Sequence, residues 1–303
     1  MNLNNRIFVA GLPRSGTTLV QNILDSHPNI YGGPEFDRIP NIIDLRNKLQ
    51  QSFDAGRISS YTSKEAIDKA MVQLIDALFG EIETDKVVTL LSEKTPWNIL
   101  FYDELFQLYP SAKFIMVMRN PLDIFNSMKN VALNAKKKGV TPPDFTTDYK
   151  LAVAYMEVVF GIMQRLLKKY PESFYLIRYE DLLTHLEDKT KELCRFIGVE
   201  WTHNLLEFHK IKHPGEENMT KDGVWYTKSM YNKDPKEVSK KASVLTFTER
   251  SFITYMFLKN DFVNPNARYF ETLKTSARVA GKWVYNDYKR NYRFKTVPKR
   301  VLS

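Results

Sequence analysis

The chain predicts an α/β fold of three layers, a central parallel sheet flanked by helices. Three observations predict it. Short apolar runs at residues 7–10, 87–91, 113–118 and 174–177 have the composition of strands buried on both faces. Each run is followed by apolar residues at helical spacing, and strands alternating with helices imply parallel pairing through right-handed crossovers. Each run also leads into polar residues able to do chemistry, at the strand ends where open parallel sheets bind ligands.

The first run opens onto Gly11-Leu-Pro-Arg-Ser-Gly16-Thr17-Thr18. Leu19, Val20, Ile23 and Leu24 then recur as one helix face until Pro28 stops it. Gly-Gly-Pro at residues 32–34 reads as a turn that leaves Glu35 close after the first helix. A carboxylate in such a place is ordinarily a solvated surface group. Ile39, Ile42, Ile43 and Leu49 predict a second helix. Ser63 suits the N-cap of a third, which carries Ile67, Ala70, Met71, Leu74, Leu78 and Ile82. The second strand runs into Ser92-Glu-Lys-Thr-Pro-Trp97, and a helix follows until Pro110. After the third strand, Asn120 suits an N-cap, Pro121 the first helical position and Asp123 the third. Residues 134–148, with three consecutive lysines and a Pro-Pro pair, read as a mobile polar loop. A long helix over about 149–169 precedes the fourth strand, which leads into Arg178-Tyr-Glu-Asp-Leu182 and a helix ending near Gly198. Residues 201–241 are irregular and are expected to lie in part over the active site. Residues 246–259 are helical again.

At 303 residues the chain can bury a large core, which points to one α/β domain with insertions. Cys194 is the single cysteine, so no internal disulfide can form, in keeping with a reducing compartment. The first residues pass directly into a strand without a signal-like apolar region. No run reaches the roughly 18–20 apolar residues that span a bilayer, so a soluble, cytoplasmic protein is expected. The net charge of +9 is unevenly spread. Residues 268–303 hold ten Lys or Arg against two acids, which leaves the other 267 residues at +1. Nucleic-acid binding therefore does not follow from the basic composition. The chain divides into residues 1–265, a compact domain, and 266–303, a basic tail. Phe270, Leu273, Ala277, Ala280 and Val284 can form one face of a tail helix, either packed on the domain or docked on an anionic membrane surface or acidic partner.

The loop at 11–18 has the glycine spacing of a Walker A motif, G-x-x-x-x-G-K-[ST], but Thr17 stands where the lysine belongs. A P-loop-like fold is thus expected with a phosphate ligand other than a nucleoside triphosphate, since Arg14 supplies the cation instead. Taken alone, the loop also fits an ordinary strand-to-helix turn. A P-loop kinase is the main rival, opposed by the missing lysine and by strand ends that carry Lys94 and Arg119 where a magnesium-binding Asp would be needed. A non-catalytic adaptor working through the basic tail is a second rival. Arg14 and Ser15, Glu93 and Lys94, Arg119, and Tyr179 follow the four strands in turn, and three cations converging on strand ends describe a site for a ligand with several negative groups. Ser127 lies two turns into the helix after Arg119, whose N-terminus also favours negative charge.

Pro13-Arg-Ser-Gly-Thr-Thr18 followed by His27-Pro28 resembles the 5′-phosphosulfate loop of sulfotransferases that use 3′-phosphoadenosine 5′-phosphosulfate (PAPS). Arg119-Asn-Pro-Leu-Asp-Ile-Phe-Asn-Ser127 resembles their 3′-phosphate motif. Glu93-Lys-Thr-Pro96 and Arg178-Tyr-Glu-Asp-Leu182 also resemble family segments, and the likeness runs in order over about residues 6–200. The resemblance implies that Arg14, Ser15, Gly16, Thr17 and Thr18 hold the 5′-phosphosulfate, and that Arg119 and Ser127 hold the 3′-phosphate. It implies contacts to the cofactor from Tyr179 and Ser229. No histidine sits where small-molecule sulfotransferases carry their base, so the pattern is closer to protein-tyrosine and heparan-type sulfotransferases. There a glutamate after the first helix serves; Glu35 matches it as general base, with Lys94 and Arg14 neutralising charge on the transferred group. No metal is expected. The acceptor hydroxyl is read as belonging to a glycan, with a peptide tyrosine or a lipid-linked sugar as alternatives.

Overall fold

The computed structural model describes residues 6–80, 82, 84, 86–215, 224–225, 243–258, 260–264, 281–282, 284–285 and 288–289. Five strands form one parallel sheet: β1 (Arg6–Gly11), β2 (Ile30–Gly32), β3 (Leu90–Lys94), β4 (Lys113–Met118) and β5 (Phe174–Arg178), in the order β2-β3-β1-β4-β5. The helices are α1 (Thr17–Asp25), α2 (Ile39–Asp54), α3 (Lys64–Leu78), α4 (Tyr102–Leu108), α5 (Pro121–Lys137), α6 (Tyr149–Lys169), α7 (Tyr179–Thr184), α8 (Leu186–Ile197) and α9 (Phe247–Phe257).

Alternation along β1 explains the layers. Phe8 and Ala10 face one side, where they join Phe114, Met116 and Phe174 under residues of α2 to α6 and α9. Ile7 and Val9 face the other, with Ile115, Val117 and Ile177 beneath Val20, Ile23 and Leu24 of α1 and Leu193 and Cys194 of α8. The β1 side chains point alternately to opposite faces while both faces stay covered, so the strand reads as a continuous apolar run. Three layers around a parallel sheet are the architecture expected from the sequence.

Local signals act as anticipated at several ends. Ser63 accepts the Ala66 N–H as N-cap of α3, and Asn120 accepts the Leu122 N–H at the start of α5, with Pro121 as its first residue. Thr246 and Glu249 form a capping box on α9. Gly198 closes α8 in the left-handed region at φ 86°.

The structure departs from these expectations at several places. The strand expected at 87–91 lies at Leu90–Lys94, because the polar side chains of Ser92, Glu93 and Lys94 each find a hydrogen-bond partner and so remain within the sheet. The segment read as a turn at Gly32 is part of a fifth, edge strand, too short for periodicity to show and defined by its pairing with β3. Helix α5 continues to Lys137, into the stretch read as a loop, and a single 3₁₀ turn at Asp144–Thr146 follows it. Between β3 and α4 the chain forms a 3₁₀ helix at Pro96–Phe101 before becoming α-helical.

In the tail, Tyr288 is buried against Phe252 and donates to Glu157 of α6, while the Tyr285 ring lies 5.6 Å from Tyr255 of α9. Val284 packs on the same core, as a helix docked on the domain would place it. Phe270, Leu273, Ala277 and Ala280 lie outside the described residues. No helix among the described residues is long and apolar enough to cross a membrane.

Phe114 is fully buried between Phe8 and Phe174, with ring centroids 5.3 and 4.8 Å away. Phe114→Ala is expected to lower stability by about 3–5 kcal/mol. Ser63→Ala, which removes only a cap, should cost about 1 kcal/mol. Denaturant midpoints at unchanged slope are the measurement that separates the two.

Candidate functional site

The β1–α1 loop is built for close approach. Arg14 adopts φ 75°, the one non-glycine residue in the left-handed region among those described, a conformation that costs an L-residue about 1–2 kcal/mol. Gly16 follows at φ 106°, and a Cβ there would lie 2.4 Å from a ring carbon of Tyr179. Gly11 is equally confined, with the Val117 carbonyl oxygen 2.4 Å from where its Cβ would be. No side chain caps α1, so the N–H groups of its first turn open onto the loop. Ser15 is fully buried, and its Oγ finds no hydrogen-bond partner among the described residues. A buried orphan hydroxyl beside an uncapped helix start suits an anion-binding loop.

The β4–α5 junction brings the second group. Arg119 places its guanidinium 4.3 Å over the Tyr179 ring and donates from Nη1 to the Arg14 carbonyl at 3.3 Å. Its Nε is buried without a hydrogen-bond partner among the described residues. Arg14 Nε donates to Ser127 Oγ at 2.9 Å and its Nη1 to the Trp225 carbonyl at 2.8 Å, so Arg14 and Ser127 stand together. The Tyr179 ring is thus a platform between Gly16 and Arg119, and burial raises the pKa of its phenol. Next to it, Glu180 accepts the Asn120 N–H at 2.7 Å and fixes the turn that carries Arg119; burial pushes its carboxyl up.

On the other side of the loop, Lys94 Nζ donates to Glu35 Oε1 at 2.6 Å and lies 3.4 Å from Thr18 Oγ1. The lysine side chain is 2% exposed and the glutamate 24%, so the carboxylate is the partner that reaches the surface. Glu93, one residue before, is buried. It accepts from Thr95 Oγ1 at 2.6 Å, Asn98 Nδ2 at 2.6 Å and the Phe36 N–H at 3.3 Å. Burial pushes its carboxyl up to about 8, against these hydrogen bonds and the Lys94 charge. Asn98 Oδ1 is buried without a partner among the described residues, and exchanging the two ends of that amide gives the protonated carboxyl a matching acceptor.

Of the sequence-predicted site residues, Arg14, Ser15, Gly16, Arg119, Ser127 and Tyr179 thus share one side of the loop. Thr18, Lys94 and Glu35 share the other, with Thr17 buried at the start of α1. Ser229 lies outside the described residues. Gln21, Glu93 and Glu180 hold the site together and carry no assigned role from the sequence. Gln21 sits among the polar positions of an amphipathic pattern, yet α1 is buried on nearly all sides and Gln21 is 3% exposed. Glu93 had a visible signal, its place in the Glu93-Lys-Thr-Pro96 segment.

The sequence profile described as the sulfotransferase family matches residues 6–203. The chain belongs to the sulfotransferase family. Among curated relatives, an uncharacterized protein of Aquifex aeolicus is 30% identical over 219 residues, covering 69% of this chain and 27% of that protein. Protein-tyrosine sulfotransferase A of Caenorhabditis elegans is 26% identical over 216 residues, covering 68% of this chain and 53% of its own length. The chain therefore spans about half or less of these two relatives. Among solved structures, the sulfotransferase domain of the Synechococcus PCC 7002 olefin synthase superposes with a TM-score of 0.47 at 16% identity, over 95% of each chain. The sheet order and the profile match, not this superposition, define the fold of this sulfotransferase family member.

The buried Glu93 makes stability fall with pH. Its folded-state pKa, about 8, lies above the value of 4.5 for an unperturbed carboxyl, so the folded state retains a proton that the unfolded chain releases. This contribution is full at low pH, declines through the interval between those values and is absent above it. Glu93→Gln cannot titrate, so its stability relative to wild type is expected to rise across that interval; chemical denaturation at a series of pH values is the check.

Proposed function

We propose that this chain transfers the sulfuryl group of PAPS to an acceptor hydroxyl. The observation that carries the reading is a pair of buried polar atoms with no hydrogen-bond partner among the described residues, Ser15 Oγ in the loop before the uncapped start of α1 and Nε of Arg119, whose guanidinium lies over Tyr179. Anion positions at the start of α1 and at Arg119 suit a donor with a phosphate at each end of its nucleoside, and membership of the family supports that donor. PAPS when bound supplies an activated sulfuryl group on a good leaving phosphate.

The chain's own residues do the rest. The first-turn N–H groups of α1, with Ser15, Gly16, Thr17 and Thr18, hold the 5′ end. Arg119 and Ser127, joined by Arg14, hold the 3′ end. Transfer through a loose in-line transition state asks for positioning and charge stabilisation more than covalent chemistry. Lys94, at the Thr18 end of the loop, stabilises charge on the transferred group. Glu35, the more exposed half of its pair, takes the proton of the acceptor hydroxyl at a carboxylate oxygen. The named relatives are protein-tyrosine sulfotransferases, which favours a peptide tyrosine over the glycan or lipid-linked sugar also compatible with the sequence.

Transfer of labelled sulfate from PAPS to tyrosine peptides, glycans and lipid-linked sugars tests the reading. Sulfated peptide is the expected product, and no labelled acceptor alongside magnesium-dependent phosphoryl transfer from ATP would overturn it. Glu35→Gln should lose at least about 100-fold in turnover while retaining affinity for the product 3′-phosphoadenosine 5′-phosphate (PAP). Arg119→Ala should instead weaken PAP binding by about 10-fold or more, the loss expected for a charge-assisted hydrogen bond. Direct titration of each variant with PAP distinguishes the two effects.

A further inference from the structure

Glu35 rides on a short segment whose backbone is held from below by buried side chains. Asp25 Oδ1 accepts the Gly32 N–H at 3.0 Å, Gln21 Nε2 donates to the Gly33 carbonyl at 3.0 Å, and Glu93 Oε1 accepts the Phe36 N–H at 3.3 Å. These three side chains are 1–3% exposed. Gln21 has no freedom to do otherwise. Its amide also donates to the Ser92 carbonyl at 2.9 Å, and its Oε1 accepts from Ser92 Oγ at 2.7 Å.

Both anchors share an element with the residues that Glu35 serves. Gln21 lies one helical turn beyond Thr17 and Thr18 on α1, so the helix that opens onto the anion loop also fixes Gly33. Glu93 adjoins Lys94 on β3, so the strand that supplies the lysine also fixes Phe36. The four residues from Gly33 to Phe36 are thereby spanned between two rigid elements. Glu35, the residue just before Phe36, is delivered to Lys94 Nζ at 2.6 Å.

We propose that Gln21 and Glu93 are positioning residues of sulfuryl transfer, which set the Glu35 carboxylate against Lys94 and the anion loop without touching either substrate. The inference rests on Glu35 and Lys94 acting as described above. It makes Glu93 important for its oxygens and not for its charge, in keeping with a carboxyl whose burial favours the neutral acid. A neutral amide of the same shape is therefore a conservative replacement. Removing the side chain frees the Phe36 N–H and leaves Thr95 and Asn98 without their hydrogen-bond partner.

The test compares Glu93→Ala, Glu93→Gln and Gln21→Ala with wild type in three measurements: native-state hydrogen exchange at the Phe36 amide, calorimetric affinity for PAP, and turnover at saturating donor and acceptor. Glu93→Ala is expected to speed Phe36 exchange and to cut turnover by about 100-fold or more, while PAP affinity stays within about threefold of wild type. Gln21→Ala should reduce turnover in the same way with PAP affinity retained. Glu93→Gln should recover both protection and turnover to within about tenfold of wild type, which a role through charge would not allow. Turnover of Glu93→Ala and Gln21→Ala within about threefold of wild type would overturn the inference, as would a Glu93→Gln as impaired as the alanine variant. Should Glu93→Ala not fold, Gln21→Ala and Glu93→Gln decide the matter by the same criteria. A wild-type protein that binds no PAP would overturn the donor reading itself, and is recognised by the first titration.

Discussion

Val9 of β1 pairs with Lys94 of β3 on one side and with Ile115 of β4 on the other, and this parallel register is what the site depends on. It brings the carboxyl ends of three adjacent strands to one edge of the sheet. The loop after β1 then lies between Lys94 and the Arg119 turn, with Tyr179 following the next strand, β5, at the start of α7. A strand order of β2-β3-β1-β4-β5 puts β1 at the centre, so its loop is flanked by chemistry from both sides. No single element holds the site; neighbouring strand ends do.

Burial of polar groups is the second constraint. Charges taken out of water cost several kcal/mol apiece unless they are paired and hydrogen-bonded. The carboxyl end of β3 meets that demand by giving Ser92 to Gln21, Glu93 to Thr95 and Asn98, and Lys94 to Glu35. Asp25 does the same at the end of α1. Its burial opposes ionisation, but hydrogen bonds from His213, Lys86 and the Gly32 N–H outweigh that and hold its carboxyl below the usual range. Against this background, Ser15 Oγ and Arg119 Nε are among the few buried polar atoms without a hydrogen-bond partner among the described residues, and they lie in the two segments to which the proposed donor site is assigned.

Much of this was legible in the residues. The glycine spacing of the loop, the Asn120-Pro121 helix start and the Ser63 cap are local chemistry, and local chemistry survives folding unchanged. The apolar runs located β1, β4 and β5 because those strands are covered on both faces. What escaped was set by contacts distant in sequence. Strand β2 exists only through its pairing with β3, and the polar end of β3 looks like a loop until Gln21, Thr95, Asn98 and Glu35 are seen to satisfy it. Gln21 itself gives no signal, since a polar residue on an amphipathic helix ordinarily faces water. The sequence resemblance makes Arg14 a cation for the transferred group as well as for the cofactor. Its hydrogen bonds to Ser127 and the Trp225 carbonyl place its side chain beside the proposed 3′-phosphate position, a pairing across 113 residues that spacing does not show.

The central claim is that the Arg119–Ser127 side of the loop selects a nucleotide carrying a 3′-phosphate. Calorimetric titration of the wild-type protein with PAP, with ADP in parallel, addresses it most directly. Saturable binding of PAP that ADP does not match is the predicted result. Equal affinity for the two nucleotides, or no binding of PAP, would contradict it.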